Sequence, residues 1–166
     1  MKQTFASHDV VLLPAVSAVE LGGVRTLFME YAATLNIDLC FQNFSEELDA
    51  LPGDYSTPRG ALVFATVGGE LAGCCAMRPL DAVDYPNACE MKRLFVRPNY
   101  RGLRLGRLLA ESILDLSRQA GYDCILLDTL DDMESARALY QELGFEEIPP
   151  YYFNPIAGAH YLRAKL

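Results

Sequence analysis

Residues 96–109 read VRPNYRGLRLGRLL, and the interpretation of the whole chain starts from this stretch. Residues 90–96, which lead into it, have the character of a β-strand. Behind it, apolar residues recur at helical spacing on one face: Leu105, Leu108, Leu109, Ile113, Leu116 and Ala120. Arg101 to Gly106 therefore lie between a strand end and a helix start, where unpaired backbone N–H groups and the positive end of the helix dipole converge. The stretch predicts an anion-binding loop.

Two further patterns define the predicted sheet. Residues 124–129 form a compact apolar run after the helix, so residues 90–129 predict a strand, helix and strand unit with parallel strands and a right-handed crossover. Residues 61–67 and 70–77 are strand-like runs joined by Gly68-Gly69, which predicts an antiparallel hairpin. The predicted sheet is therefore mixed.

At 166 residues the chain has the length of one domain, so we expect a single domain over residues 1–166. Shorter patterns predict its remaining elements, in chain order: a strand at 10–13, a helix from the N-cap Ser17 to residue 35, a short helix at 45–51, a helix capped by Asp131 or Asp132 and ended by Gly144, and two short tail strands around Pro149-Pro150 and Asn154-Pro155.

The net charge of −8 argues against a nucleic-acid partner, because such binding needs Lys and Arg to neutralise phosphates. Within this acidic chain, basic residues are crowded at one place: Arg93, Arg97, Arg101, Arg104 and Arg107. The crowding predicts an anionic ligand of modest size. Neither the GxxxxGKS/T spacing nor the GxGxxG spacing is present, so the phosphate loops of NTPases and dinucleotide enzymes are not supported.

Cysteine and histidine usage argues against a metal site. The five cysteines are odd in number, lack CxxC spacing and lie mostly in apolar runs, which predicts small buried side chains in a reducing compartment. His8 and His160 lie at opposite ends of the chain. A catalytic Cys–His pair stays open as an alternative. The apolar stretch at residues 10–19 contains Pro14 and is too short to span a bilayer, so we expect a cytoplasmic protein without a membrane partner.

The loop and a later helix together resemble the signature of the GNAT acetyltransferases. The acetyl-CoA loop of that family has Arg or Gln, two residues, Gly, one residue, then Gly or Ala, and residues 101–106 follow this spacing. Residues 136–145, ARALYQELGF, are similar to the next signature helix, in the expected order and at the expected distance. Two positions depart from the family pattern. Arg104 stands where the loop has a middle glycine, and Met133 stands where many members carry Asn.

The resemblance implies an α/β fold with a mixed, twisted sheet of about six or seven strands flanked by helices. It also implies acetyl-CoA as the acyl-donating cosubstrate and no metal. The cofactor would lie where the strands at residues 90–96 and 124–129 diverge. The residues implied to bind it are Leu94, Phe95 and Val96 on the strand, and Arg101, Gly102, Leu103, Arg104, Leu105, Gly106 and Arg107 in the loop.

The resemblance also implies catalytic residues. Tyr140 resembles the frequent general acid of the family, a phenol that protonates the departing thiolate and is itself protonated at pH 7. Alternatively, its ring only packs between helix and sheet. Glu90 stands where members often have a carboxylate that takes a proton from the amine, directly or through water. Alternatively, it is an edge charge partnered by Lys92 or Arg93. Asp128 is the other carboxylate near the expected cleft.

Tyr151, Tyr152 and Asn154, within PPYYFNP, are the candidate acceptor-binding residues. The family implies a small-molecule or peptide acceptor with a primary amine, and the acidic chain predicts that this acceptor is cationic. Three alternatives stay open: another acyl-CoA donor, a hydroxyl acceptor, or a degenerate module that senses acyl-CoA without catalysis, to which Arg104 and Met133 would point. A homodimer is compatible with the family.

Overall fold

A mixed seven-stranded β-sheet organises the chain. The computed structural model describes residues 9–35, 39, 43–130 and 133–166. In chain order the strands are β1 (Val10–Pro14), β2 (Ala61–Val67), β3 (Glu70–Leu80), β4 (Ala88–Val96), β5 (Cys124–Leu130), β6 (Glu146–Ile148) and β7 (Ala159–Lys165). Their order in the sheet is β1-β2-β3-β4-β5-β7-β6. β4 and β5 run parallel, and the other neighbours run antiparallel. The predicted α/β fold with a mixed sheet is confirmed.

The helices are α1 (Ala18–Leu35), α2 (Phe44–Ala50), α3 (Leu105–Gln119) and α4 (Glu134–Glu142), with short 3-10 turns at Gly53–Tyr55 and Pro98–Tyr100. Ser17 caps α1 as predicted, because its Oγ accepts a hydrogen bond from the backbone N–H of Glu20 at 3.2 Å. Glu20 Oε1 accepts one from the N–H of Ser17 at 2.8 Å, which completes a capping box. The expectation that Asp131 or Asp132 caps α4 lies outside the described residues.

Among the described residues three apolar clusters pack on the sheet, and the smallest consists of Ala88, Cys124 and Leu126. The largest joins the sheet to α3 and α4 and includes Cys75, Met77, Met91, Leu109, Ile113, Ile125, Leu127 and Tyr140. The second joins it to α1 and includes Val24, Leu27, Phe28, Phe64 and Phe95. Leu108, expected on the buried face of α3, is instead 40% exposed. The buried stripe is centred on Leu105, Leu109 and Ile113, four residues apart, so Leu108 falls beside it on the solvent side.

β4 and β5 separate part of the way along their length. They pair only at Ala88↔Cys124, Cys89↔Ile125 and Glu90↔Leu126. Beyond that point β5 continues alongside β7, whereas β4 bends away. The bend coincides with a β-bulge, in which Arg93 has φ +62° and the register against β3 shifts between Cys74 and Ala76. We call the resulting opening between β4 and β5, beyond Glu90 and Leu126, the cleft.

The tail strands differ from the prediction. Pro149-Pro150 and Asn154-Pro155 lie in the connection between β6 and β7, residues 149–158, and not in the strands. The reason is that proline has no N–H to donate to a β-ladder, so the strands form on either side of the proline-rich segment. Among the described residues, no helix is long and apolar enough to cross a membrane.

Candidate active site

The loop before α3 presents unsatisfied backbone donors. Gly102 has φ +90° and Arg104 has φ +61°, and α3 starts directly after Arg104. The N–H of Leu108 makes a helical bond to Arg104 O at 3.1 Å. By helix geometry, the N–H groups of residues 105–107 then have no acceptor within the helix, and no side chain of Arg104 caps them. A Cβ added at Gly106 would come no closer than 3.9 Å to the Leu139 side chain, so the helix start is open to a ligand. The loop therefore fits the phosphates of acetyl-CoA.

The predicted cluster of five arginines is divided by the tertiary structure. Three of the five have carboxylate partners: Arg93 with Glu47, Arg97 with Glu30, and Arg107 with both Glu111 and Glu142. Arg93 and Arg97 thereby point toward α2 and α1, which corrects the expectation that all five surround one ligand. Arg101 and Arg104 are exposed and have no ion pair within the described residues. These two are the arginines that fit an anion at the loop.

The open edge of β4 continues from this loop into the cleft. The N–H of Arg97 donates to a β3 carbonyl at 2.8 Å. Backbone groups alternate sides along an antiparallel strand, so those of Phe95 also face β3, whereas those of Leu94 and Val96 face the open edge. Arg101 Nε donates to Val96 O at 3.2 Å on this edge. Of the three predicted strand residues, Leu94 and Val96 can therefore offer backbone contacts to a ligand in the cleft.

Tyr140, on α4, lines the cleft together with Lys92, Asp128 and Thr129. Its ring lies edge to face with Phe145, with ring centroids 5.5 Å apart, and is almost completely buried. Burial raises the pKa of the phenol well above its usual value of 10.0. No hydrogen bond engages its hydroxyl among the residues that the structure describes. Tyr140 is thus a protonated phenol that faces the cleft.

Glu90 lies beside the cleft without lining it. The side chain is 1% exposed. Arg78 Nε donates to its Oε1 at 2.9 Å, and the hydroxyl of Tyr151 donates to its Oε2 at 2.6 Å. Burial acts to raise the pKa of Glu90, but the charges of Lys92 and Arg78 outweigh it and hold the pKa below 4.5. Glu90 is therefore an ionised carboxylate with both oxygens bound. Of the partners expected for it, Lys92 contributes charge, whereas Arg93 pairs with Glu47.

Asp128 lies on the β5 wall of the cleft and keeps one oxygen available. Its Oδ2 accepts hydrogen bonds from the hydroxyl of Tyr152 at 2.5 Å and from Asn154 Nδ2 at 3.2 Å. No hydrogen bond to Oδ1 is found in the described part of the chain. The predicted acceptor residues therefore converge on the two candidate carboxylates: Tyr151 on Glu90, and Tyr152 and Asn154 on Asp128. Tyr161 packs against both tyrosine rings, with centroids 5.4 and 5.6 Å away.

The sequence interpretation missed two polar side chains that line the cleft, Tyr31 and Lys92. Tyr31 comes from α1, and burial raises its pKa to about 12. Its helical position carried no signal of this role. The sequence interpretation treats Lys92 only as a partner of Glu90. A signal was present, because residues two apart on a strand such as β4 place their side chains on the same face of the sheet. Met133 stands at the position where the family often has Asn, and its Sδ accepts a hydrogen bond from Thr129 Oγ1 at 3.7 Å.

Comparisons with known proteins identify the family of this chain. Residues 27–145 match the family model described as the acetyltransferase (GNAT) family. An uncharacterized N-acetyltransferase of Schizosaccharomyces pombe is 39% identical over 167 residues, which cover 100% of this chain and 98% of that protein. One from Dictyostelium discoideum is 33% identical, over 80% of this chain and 88% of that protein.

Solved structures show the same fold. A GNAT-family acetyltransferase from Staphylococcus aureus has a TM-score of 0.75 at 20% identity, over 94% of this chain and 98% of that one. An acetyltransferase from Salmonella typhimurium, solved with acetyl-CoA, has a TM-score of 0.68 at 14% identity, over 95% and 94% of the two chains. The match of the family model, together with the relative that spans the full chain, shows the family. The chain belongs to the acetyltransferase (GNAT) family.

Proposed function

We propose that the protein transfers the acetyl group of acetyl-CoA to a primary amine that arrives as its ammonium ion. One observation carries this proposal: a protonated phenol, Tyr140, and a carboxylate with one available oxygen, Asp128, line the same cleft. Transfer to an amine needs both groups, because the departing thiolate must gain a proton and the ammonium must lose one. Membership of the family supports acetyl-CoA as the donor.

The residues around the loop would hold the donor. The backbone N–H groups of residues 105–107 and the side chains of Arg101 and Arg104 would bind its phosphates. Leu94 and Val96 would hydrogen-bond its pantetheine arm along the open edge of β4. When bound, acetyl-CoA supplies an acetyl group activated as a thioester. The protein contributes position and charge neutralisation.

The proton transfers are divided between the two walls of the cleft. Asp128 would accept the ammonium through Oδ1 and take a proton from it, while Tyr152 and Asn154 hold Oδ2 in place. Tyr140 would donate its hydroxyl proton to the departing thiolate. Glu90 has both oxygens bound, so a proton would reach it only through the Tyr151 hydroxyl, which gives its own proton to Oε2 as it receives one. Glu90 as the base thus stays a prediction, and Asp128 is the more direct choice.

The test is thiol release from acetyl-CoA with a broad panel of primary amines, for the natural protein and Tyr140→Phe. Loss of the hydroxyl should lower turnover about 10²- to 10⁴-fold, the usual contribution of a general acid, with little change in CoA affinity. Tyr122→Phe is the matched control, because the Tyr122 hydroxyl bonds to Arg59 O at 2.6 Å and does not line the cleft.

Two results would contradict the proposal. Unchanged turnover in Tyr140→Phe would leave Tyr140 as a packing residue. CoA binding without thiol release for any amine would favour the alternative of a module that binds acyl-CoA without catalysis.

A further inference from the structure

The connection between β6 and β7, residues 149–158, borders a shallow groove beside the cleft. Aromatic and aliphatic side chains form most of its lining, among them Tyr151, Tyr152, Phe153, Ile156 and Tyr161. Its volume of about 590 Å³ is in the range of small-molecule sites. We call it the aromatic groove. Its size and lining fit an apolar part of a small ligand.

The aromatic groove and the cleft adjoin on one face of the sheet. Asn154 and Ile156 line both of them. In the register between β5 and β7, Asp128 of the cleft is paired with Tyr161 of the groove. Residues paired in an antiparallel ladder point to the same face, with Cα atoms about 4.5–5.5 Å apart. A ligand bound through its amine at Asp128 can therefore extend into the groove along the same face.

Hydrogen bonds hold the chain on both sides of Phe153. The Tyr152 hydroxyl and Asn154 Nδ2 both donate to Asp128 Oδ2. The Tyr161 hydroxyl donates to Tyr152 O at 3.0 Å. The position of Phe153 relative to Asp128 is thus defined before a ligand binds, so a ligand that contacts both loses little affinity to the ordering of this segment.

Phe153 is 84% exposed, the largest exposed fraction of any aromatic side chain among the described residues that line the groove. A single exposed apolar residue is common on protein surfaces and needs no explanation. Phe153 differs because it borders a groove that three tyrosine rings also line. An apolar group in this groove would remove part of the Phe153 ring from water, and aromatic rings add favourable edge-to-face or offset contacts.

We propose that the acceptor is a small primary amine that carries an apolar group, best an aromatic ring: its ammonium binds Asp128 and its apolar group packs against Phe153 in the aromatic groove. This inference rests on the proposed function and names the substrate class of the same site. Phe153 is then a specificity-determining residue. It favours such amines over amines of the same charge that lack an apolar group.

The experiment measures thiol release from acetyl-CoA with matched acceptors, methylamine against benzylamine and ethylamine against phenethylamine. In the natural protein, kcat/KM should be about 10- to 100-fold higher for the ring-bearing amine of the better pair, the usual effect of burying one aromatic ring. In Phe153→Ala this ratio should fall about 3- to 10-fold, because one ring contact is lost, and Phe153→Tyr should keep most of it. Val19→Ala is the matched control and should keep the whole ratio, because Val19 is 85% exposed on α1 and does not line the groove.

The ratio is measured within each variant, so it does not depend on how much of that variant is folded. A ratio near one in the natural protein, or a ratio that is unchanged in Phe153→Ala, would overturn the inference while leaving amine acetylation intact. A lower molar mass of Phe153→Ala in light scattering would show that a second copy of the chain covers the groove, and would also overturn it. Absence of thiol release with every amine would overturn the proposed function, and the inference with it.

Discussion

Tyr140 and Glu90 are both buried, yet their pKa values are shifted in opposite directions. Burial raises the pKa of Tyr140 well above 10.0, so the phenol keeps its proton. Glu90 is just as buried, but neighbouring positive charges hold its pKa below 4.5, so the carboxylate stays ionised. Neither side chain therefore changes its ionisation state between pH 4.5 and pH 10.0. A pH dependence within this interval must come from another group.

We therefore expect kcat to rise with pH through an apparent pKa that belongs to the bound amine, because the ammonium must lose a proton before it attacks. The profile is measured with two acceptors whose amine pKa values differ by about 1–2 units, and the rising limb should move with the acceptor. Glu90→Gln should leave the position of the limb unchanged. A limb at the same pH for both acceptors would contradict the prediction and point to Lys92, whose pKa is lowered by burial.

At the scale of elements, α2 and the bulge of β4 are joined by a buried ion pair. Arg93 Nε and Nη2 each lie 2.9 Å from an oxygen of Glu47, and the guanidinium stacks over the Phe44 ring at 5.0 Å. The two side chains are 3% and 12% exposed. Arg93 also has a backbone conformation that costs an L-residue about 1–2 kcal/mol. The ion pair thus helps to stabilise the bulge that opens the cleft.

Glu47→Ala should lower the free energy of unfolding by about 3 kcal/mol, because it leaves a buried guanidinium without its carboxylate. Asp49→Ala, on the same helix, is the matched control. Its pair with Arg25 is exposed, at 3.4 Å, and its loss should cost less than about 0.5 kcal/mol. Urea unfolding measures both. Equal losses in the two variants would show that the buried pair does not anchor α2 to β4.

At the scale of the whole molecule, a chain of net charge −8 must bind an anionic cofactor. The local arrangement of charged side chains, more than the net charge of the chain, allows this binding. Glutamates that come from distant parts of the chain neutralise Arg93, Arg97 and Arg107, whereas Arg101 and Arg104 remain exposed beside the first turn of α3. Of these five arginines, the two that have no carboxylate partner among the described residues therefore lie in the loop.

We expect Arg101→Ala and Arg104→Ala each to weaken CoA binding about tenfold, as the loss of a charge-assisted contact does, and to reduce its dependence on salt. Arg107→Ala is the matched control, since two glutamates already pair with Arg107, and it should change the affinity less than about threefold. Titration calorimetry at low and high salt measures these effects. A loss in Arg107→Ala as large as that in Arg101→Ala would contradict this division of the arginines.

Patterns between near neighbours in the sequence determined most of the fold. The helical spacing from Leu105 to Ala120, the turn at Gly68-Gly69 and the strand, helix and strand unit led to a mixed α/β sheet, and the structure confirms it. The loop at residues 101–106 and the helix at 136–145 identified the family, and with it an acetyl-CoA-dependent acyltransferase. Each of these features is formed by residues that are close together in the sequence, so it can be recognised without the tertiary structure.

Only the tertiary structure decided how the charged groups are shared. Arg93 meets Glu47 across 46 positions of sequence and Arg97 meets Glu30 across 67, while Glu90 receives Tyr151 from 61 positions away. The left-handed conformation of Arg93, which bends β4 away from β5, leaves no signature in residue type, because arginine rarely adopts it. Buried charges take the partners that packing brings to them, since an unpaired charge in the interior is too costly. The sequence therefore determined the fold and the family, and packing over long sequence distances determined which of the candidate charges face the cleft.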